Sequence, residues 1–220
     1  MSSELKKFYD EYEQELLSEF SFKKHKLRMK LSASLVKDGK ILDVGCQDGN
    51  LRFFLNNCDY YGIDITSKHF QKDFNFILGE ATRLPFKNEN FDTVTALEVI
   101  EHLFNPWKFV EEIHRILGPQ GVFVLSTPNA VCLLNRFKIV FGLNPSYFGL
   151  DAGHLHCFTF KVLRKLLEPH FVVVKKEAVY TSLVFRGITH KLPFCYSVER
   201  FLAKIYPNLS DVILVKAVKK

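Results

Sequence analysis

One stretch, Ile41 to Asn50 with the sequence ILDVGCQDGN, constrains this chain more than any other. Ile41, Leu42 and Val44 suit a buried strand, and Asp43 stands near its end. Gly45 and Gly49 then flank a tight turn into a short helix. A second short strand follows and ends in another acid, Asp64. Strand, turn, helix, strand is the unit that joins parallel strands, because a parallel pair needs a crossover connection.

The same alternation continues. Lys40–Val44, Tyr60–Asp64, Phe74–Leu78, Phe91–Leu97 and Val122–Ser126 read as five strands, with a short helix over Gly49–Asn57. Pro106 suits the first turn of a helix reaching Leu117, with Val110, Ile113 and Leu117 as its buried stripe. Gly118-Pro119 ends it. Thr159 opens a helix whose Val162, Leu163, Leu166 and Leu167 face inward, and Pro169 closes it. Phe171–Lys175 and Val212–Val218 are the last two strands. Two helices precede the first strand within residues 1–38. One carries the stripe Leu5, Phe8, Tyr9, Tyr12, Leu16 and Phe20, and the other runs from Phe22 to Val36. The fold class is therefore α/β, a three-layer α-β-α arrangement with a mostly parallel sheet in one domain over residues 1–220. Insertions at 130–157 and 178–210 follow late strands. They are rich in aromatics, including Phe137, Phe141, Tyr147, Phe148, Tyr180, Phe185, Phe194, Tyr196 and Phe201. Open α/β sheets bind ligands beyond strand C-termini, so both insertions are read as substrate cover.

Five scattered cysteines with no CxxC pair indicate neither a zinc knuckle nor a disulfide framework, and fit reduced thiols in a cytoplasmic protein. The most apolar long region, Val122–Leu143, is broken by Pro128, Asn129, Asn135, Arg136 and Lys138, so no membrane partner is expected. The net charge of +6 allows an anionic partner such as RNA.

The strand ends carry the binding chemistry. Small residues at Gly45 and Gly49 let backbone amides approach a bound carboxylate, helped by the helix that follows. Asp43 can accept from an ammonium group or from the turn's own amides. Asp64 can hold two ribose hydroxyls, and Glu80 can accept from an adenine amino group. Ile65, Ala81 and Leu97 supply apolar walls. A dinucleotide site would want G-x-G-x-x-G without a leading acid, and the order here is D-x-G-x-x-x-G.

These strings, with GEATRLPF, FDTVTALEVIEHL, LGPQGVFVLSTPN and HLHCFTFKVLRKLLE, resemble the class I S-adenosylmethionine (SAM) methyltransferases, specifically the broad group that includes ubiquinone-pathway O-methyltransferases. The resemblance implies a seven-stranded sheet whose last strand is antiparallel and lies between the fifth and sixth. It implies SAM as cofactor, bound by Asp43, Gly45, Gly49, Asp64, Glu80 and Ala81; Cys46, Ile65 and Leu97 join them as candidate cofactor contacts. Two positions depart from the family pattern. Gln47 stands where the middle glycine is usual, and Pro119-Gln120-Gly121 replaces a PGG turn. If position 47 requires a positive φ, Gln is strained there by about 1 kcal/mol or more.

The string Glu98-Val99-Ile100-Glu101-His102 begins at the end of strand four, and His154 and His156 return towards the same rim. Three readings are open. Glu101 and His102 pack and cap the turn. Alternatively His102, His154 or His156 accepts the acceptor's proton, as imidazole suits near neutral pH. In the third, Glu98, Glu101, His102 and His156 hold a divalent metal of the Mn, Fe or Zn type. That last set resembles small-RNA 3′-terminal 2′-O-methyltransferases. Glu101, His102 and His156 are the catalytic candidates, and no metal is assigned. Arg28, with Tyr9 and Tyr12, either closes over the cofactor and meets its carboxylate or belongs to a basic, solvated helix face. His25, His69, His114, His170 and His190 are read as surface or satisfied. The expected activity is methyl transfer to an O or N of a small or medium-sized molecule. The alternatives are an RNA methyltransferase and a non-catalytic binding subunit, and no oligomeric state is assigned.

Overall fold

The computed structural model describes residues 19–68, 73–146, 153–182 and 193–220, and within the helices the side chains from Lys24 and from Ser197 onward. The first expected helix, Tyr9, Tyr12, His69, Tyr147, Phe148, Phe185 and His190 lie outside the described residues. So do the side chains of Phe20, Phe194 and Tyr196.

Helix α1 (Glu19–Ala33) leads into β1 (Gly39–Val44). The expected helix after the glycine turn is a single short 3-10 turn, Asn50–Phe54. Strands β2 (Cys58–Asp64), β3 (Asn75–Leu78) and β4 (Phe91–Leu97) follow, then a second 3-10 turn (Ile100–His102). Next come α2 (Pro106–Ile116), β5 (Leu117–Pro128), α3 (Leu133–Val140), α4 (Phe160–Leu167), β6 (Phe171–Ala178), α5 (Pro193–Ile205) and β7 (Val212–Lys219). The seven strands form one sheet in the order β3-β2-β1-β4-β5-β7-β6. Strand β7 is antiparallel to β5 and β6, and the other pairs are parallel.

Alternation of side chains sorts the core into two layers. Phe123 and Leu125 of β5, with Ile213, Val215 and Ala217 of β7, pack against Phe109, Ile113 and Leu163 from α2 and α4. Val122 and Val124 point the other way, onto Leu27, Leu31 and Leu35 at α1. Complete burial of Phe109 and Ile113 contributes about 1.5–3 kcal/mol per side chain. Asn105 caps α2 by accepting from Lys108 N at 2.9 Å, and Thr159 Oγ1 caps α4 by accepting from Val162 N at 3.2 Å.

Two packing expectations change. Leu117 is fully buried, but it leaves the helix and pairs with Phe91 as the first residue of β5. The chain bulges through Gly118–Gly121 before Val122 resumes the ladder opposite Thr93. Val162 was expected inward and is 50% exposed. At 3.6 residues per turn it falls about 90° from the centre of the stripe made by Leu163, Leu166 and Leu167.

Register brings the reactive ends together. Asp43 lies opposite Gly62, Val44 opposite Ile63 and Ala96, and Leu97 opposite Ser126. The tips of β1, β2, β4 and β5 therefore share one rim, the ligand-binding rim of an open parallel sheet. Helix α1 is held over that rim by a buried cation. Lys24 Nζ donates to Ser182 Oγ at 3.0 Å, pairs with Glu199 Oε2 at 3.3 Å and faces the Tyr180 ring.

Candidate functional site

The turn after β1 is built from left-handed residues. Gly45, Gln47 and Gly49 have φ of 69°, 48° and 71°. Gly45 has a second constraint, because a Cβ there would stand 2.5 Å from Val99 Cγ2. The turn is closed by Gly45 N to Ile63 O at 2.8 Å, Gly49 N to Cys46 O at 2.7 Å and Gln47 N to Asp64 Oδ2 at 2.9 Å. The turn amide therefore goes to Asp64 and not, as expected, to Asp43. Asp43 instead accepts from two hydroxyls, Thr95 Oγ1 at 2.6 Å and Tyr60 Oη at 2.7 Å. Burial pushes its carboxyl up to about 6, with those two hydrogen bonds opposing the shift.

Asp64 Oδ1 takes the amide of Thr66 at 3.1 Å. Each carboxylate oxygen thus holds one backbone amide and keeps lone-pair capacity towards an adjoining cavity. That cavity, about 310 Å³, is lined by Gly45, Asp64, Ile65, Glu80 and Ala81, as expected, and by Glu98 and His102. Ile63, Val99 and Leu103 also line it, and the sequence reading missed them. Val99 and Leu103 flank the Glu101-His102 pair, so their apolar character beside the motif was the available signal. Leu97 does not line this cavity.

Leu97 lines a neighbouring cavity of about 100 Å³, with Arg28, Asp43, Cys46, Asn50 and Glu98. Arg28 pairs with Glu98 at 3.2 Å and donates to His25 Nδ1 at 3.3 Å. Burial, aided by the Arg28 charge, holds His25 down to about 4, so its imidazole is neutral and accepts. Two buried polar atoms here, Arg28 Nε and Asn50 Oδ1, have no hydrogen-bond partner among the described residues. Burial and the nearby Asp43 and Asp64 raise the Cys46 thiol, so it stays protonated. A cradle with an unpaired guanidinium nitrogen, an unpaired amide oxygen and a buried acid fits an amino-acid end group. The larger cavity, with Asp64 and apolar walls, fits a nucleoside.

The third part is the turn beyond β4. Glu98 has a φ of 60°, held by Glu98 N to Ser126 O and Ser126 Oγ to Glu98 Oε1 at 3.0 and 2.9 Å. Glu101 is 1% exposed. Its Oε2 accepts from Thr127 Oγ1 at 3.0 Å, and its Oε1 has no hydrogen-bond partner among the described residues. Burial, reinforced by Glu98, lifts the Glu101 carboxyl to about 8. His102 Nδ1 lies 2.9 Å from Gly153 O, so it carries the proton and donates. His102 Nε2 then faces Glu101 Oε1 at 3.9 Å. The His154 ring meets His102 edge-on at 4.6 Å, and one donor atom from each of Glu101, His102 and His154 fits within a 4.8 Å group. His156 stands apart. Its amide bonds Glu101 O, and its ring lies towards Trp107 and Phe158. Of the two later histidines, His154 and not His156 joins the cluster. The insertion aromatics Phe137, Phe141 and Phe201 are solvent-facing and do not line the cavity.

A family model described as a methyltransferase domain matches residues 9–170. The uncharacterized protein MJ0638 of Methanocaldococcus jannaschii is 26% identical over 99% of this chain and 99% of its own. The mitochondrial ubiquinone biosynthesis O-methyltransferase of Rattus norvegicus is 30% identical over 69% of this chain. The match spans about half, 49%, of the rat protein. Among solved structures, a SAM-dependent methyltransferase of Thermotoga maritima superposes with a TM-score of 0.63 at 16% identity, over 97% of both chains. No helix among the described residues is long and apolar enough to cross a membrane.

Proposed function

This chain belongs to the class I SAM-dependent methyltransferases, and on that premise we propose that it methylates an oxygen or nitrogen of a small or medium-sized acceptor. Bound SAM supplies an electrophilic methyl carbon. The remaining work falls to side chains at the rim. Asp64 holds the ribose hydroxyls with the lone pairs that Gln47 and Thr66 leave free. Glu80 takes the adenine amino group, and Ile63, Ile65, Ala81 and Leu103 enclose the ring. Arg28 meets the methionyl carboxylate through a charge-assisted contact, and Asn50 Oδ1 accepts from the ammonium.

The observation that carries the proposal is the Glu101–His102 pair at the edge of the nucleoside cavity. His102 Nδ1–H is fixed on Gly153 O, so Nε2 is the free base. It removes the acceptor's proton as the nucleophile attacks, beside the Glu101 carboxyl at 3.9 Å, which burial keeps neutral at rest and which ionises only as the imidazolium forms next to it. Titration of the protein with SAM and with its demethylated product, followed by a screen of phenol, carboxylate and amine acceptors, tests this reading. No binding of either nucleoside at about millimolar concentration would end it.

A second reading has its own support. Glu101, His102 and His154 converge, with one carboxylate oxygen unpaired and His102 oriented by a carbonyl. That donor set suits a divalent ion such as Zn, Fe or Mn. Metal analysis of the purified protein, and the visible spectrum on Co(II) addition, separate the two readings.

A further inference from the structure

A second large cavity lies beyond the ends of β5 and β6, away from the nucleoside site. It measures about 300 Å³, close to the volume of the nucleoside cavity. Three cations line it from three elements: Arg136 of α3, Lys161 in the first turn of α4 and Lys176 of β6. No acid lines it, and none of the three pairs with a carboxylate among the described residues. Arg136 spends only Nε, on Val131 O at 2.7 Å. Lys176 donates to Asn208 Oδ1 and sits over the Phe160 ring at 4.3 Å. Thr159 and Phe160, at the capped N-terminus of α4, line it too, and the first turn of that helix carries no acid.

We infer that this cavity is a binding site for a phosphate group. Three cations gathered on one concave wall repel each other, and an anion seated among them relieves all three more directly than solvent screening does. A phosphate monoester brings close to two negative charges and three acceptor oxygens, which Arg136, Lys161 and Lys176 can divide. Partial burial already lowers the Lys176 ammonium from its ordinary value, a cost that a bound anion offsets. The volume exceeds a bare phosphate, leaving room for an organic remainder against Phe160 and Val131. The site shares no lining residue with the nucleoside cavity, so the inference stands independently of the methyl-transfer reading.

The test is calorimetry of the full chain at low ionic strength with inorganic phosphate and with glycerol 3-phosphate. Saturable binding is expected, weakened about tenfold by Lys161→Glu and by Arg136→Glu, both exposed and safe for folding. Lys176→Met should weaken it as well. Affinity for S-adenosylhomocysteine should stay unchanged in all three variants. A monoester bound about tenfold tighter than inorganic phosphate assigns the site to an organic phosphate, and equal affinities assign it to the free ion. Absence of saturable binding of both probes up to roughly 10 mM overturns the inference, as does binding that ignores Lys161→Glu and Arg136→Glu. Affinity for an oligoribonucleotide with none for the two small probes also overturns it.

Discussion

Glu101 Oε1 lies 3.9 Å from His102 Nε2, buried, with no hydrogen-bond partner among the described residues. Its other oxygen is held by Thr127 and its backbone carbonyl by two amides, so it has little freedom to turn away. A buried acid left open on one side towards an imidazole is coupled to it: burial holds the carboxyl up to about 8, and it stabilises an imidazolium only by giving up its own proton. His102→Ala and Glu101→Gln should each lower kcat by about 10²–10⁴ once the acceptor is in hand, with SAM affinity unchanged in Glu101→Gln and lowered by less than about tenfold in His102→Ala, whose ring lines the nucleoside cavity. His156→Ala, whose ring points to Trp107, should change kcat by less than about threefold. Equal losses at His102 and His156 would remove His102 from the role.

Asp64→Ala should cost both binding and stability. The carboxylate anchors the amides of Gln47 and Thr66, and each such bond to a charged group contributes about 1.5–3 kcal/mol. The unliganded variant should therefore melt earlier, and SAM affinity should fall at least about a hundredfold as the ribose contact and the turn geometry are lost together. Asp64→Asn can still accept from one amide, so it should recover stability more than affinity. Calorimetry and thermal melts on the pair separate the two effects. A variant that binds SAM as well as wild type would remove Asp64 from the site.

The fold was legible because each signal was local. Apolar runs ending in Asp43, Asp64 and Glu98 marked strand tips, and parallel topology gathered those tips on one rim. Which partner each group chooses is decided by tertiary geometry, so the sequence could not show it. Asp43 and Asp64 look alike in the chain, yet β2 brings the Tyr60 hydroxyl to the first, and the glycine turn delivers its amide to the second. His154 and His156 stand two residues apart with nothing in the sequence to tell them apart. At that spacing they would share one face of a regular strand, and it is the local path of the segment, with the amides of Leu155 and His156 pinned to Glu101 O, that carries the His154 ring to His102. Leu97 is read as an apolar wall for the nucleoside and lines instead the neighbouring smaller cavity, which Glu98 shares.

Gln47→Gly should stabilise the protein. Gln47 holds a φ of 48°, which costs a residue with a Cβ about 1–3 kcal/mol. The glycine's extra freedom in the unfolded chain takes back about 0.4–1 kcal/mol, leaving a net gain of about 0–2.6 kcal/mol, centred on about 1 kcal/mol, which is about 2–4 °C in Tm. The amide donated to Asp64 is backbone and survives the change, so SAM affinity should hold or rise. Gln47→Ala keeps the strain and should gain nothing. A Gln47→Gly protein that melts below wild type would show that the Gln side chain itself contributes to the turn.

Asp43 sets a pH dependence whose sign follows from its raised carboxyl. Its folded value of about 6 lies above the ordinary carboxylate value of 3.8, so the folded state holds a proton that the unfolded state has released. The protonated acid favours folding below about 4, and that contribution is lost as pH rises through 6, by an amount on the order of 3 kcal/mol. Asp43→Asn removes the titration and keeps one acceptor for Thr95, while its amide can donate to the Tyr60 oxygen. Other carboxylates titrate in both proteins and cancel in the difference. The variant's Tm relative to wild type should therefore climb by about 5–10 °C between pH 4 and pH 7, and level off above. A difference that stays flat across that range would mean that Asp43 is ionised throughout, with its two hydroxyl donors outweighing its burial.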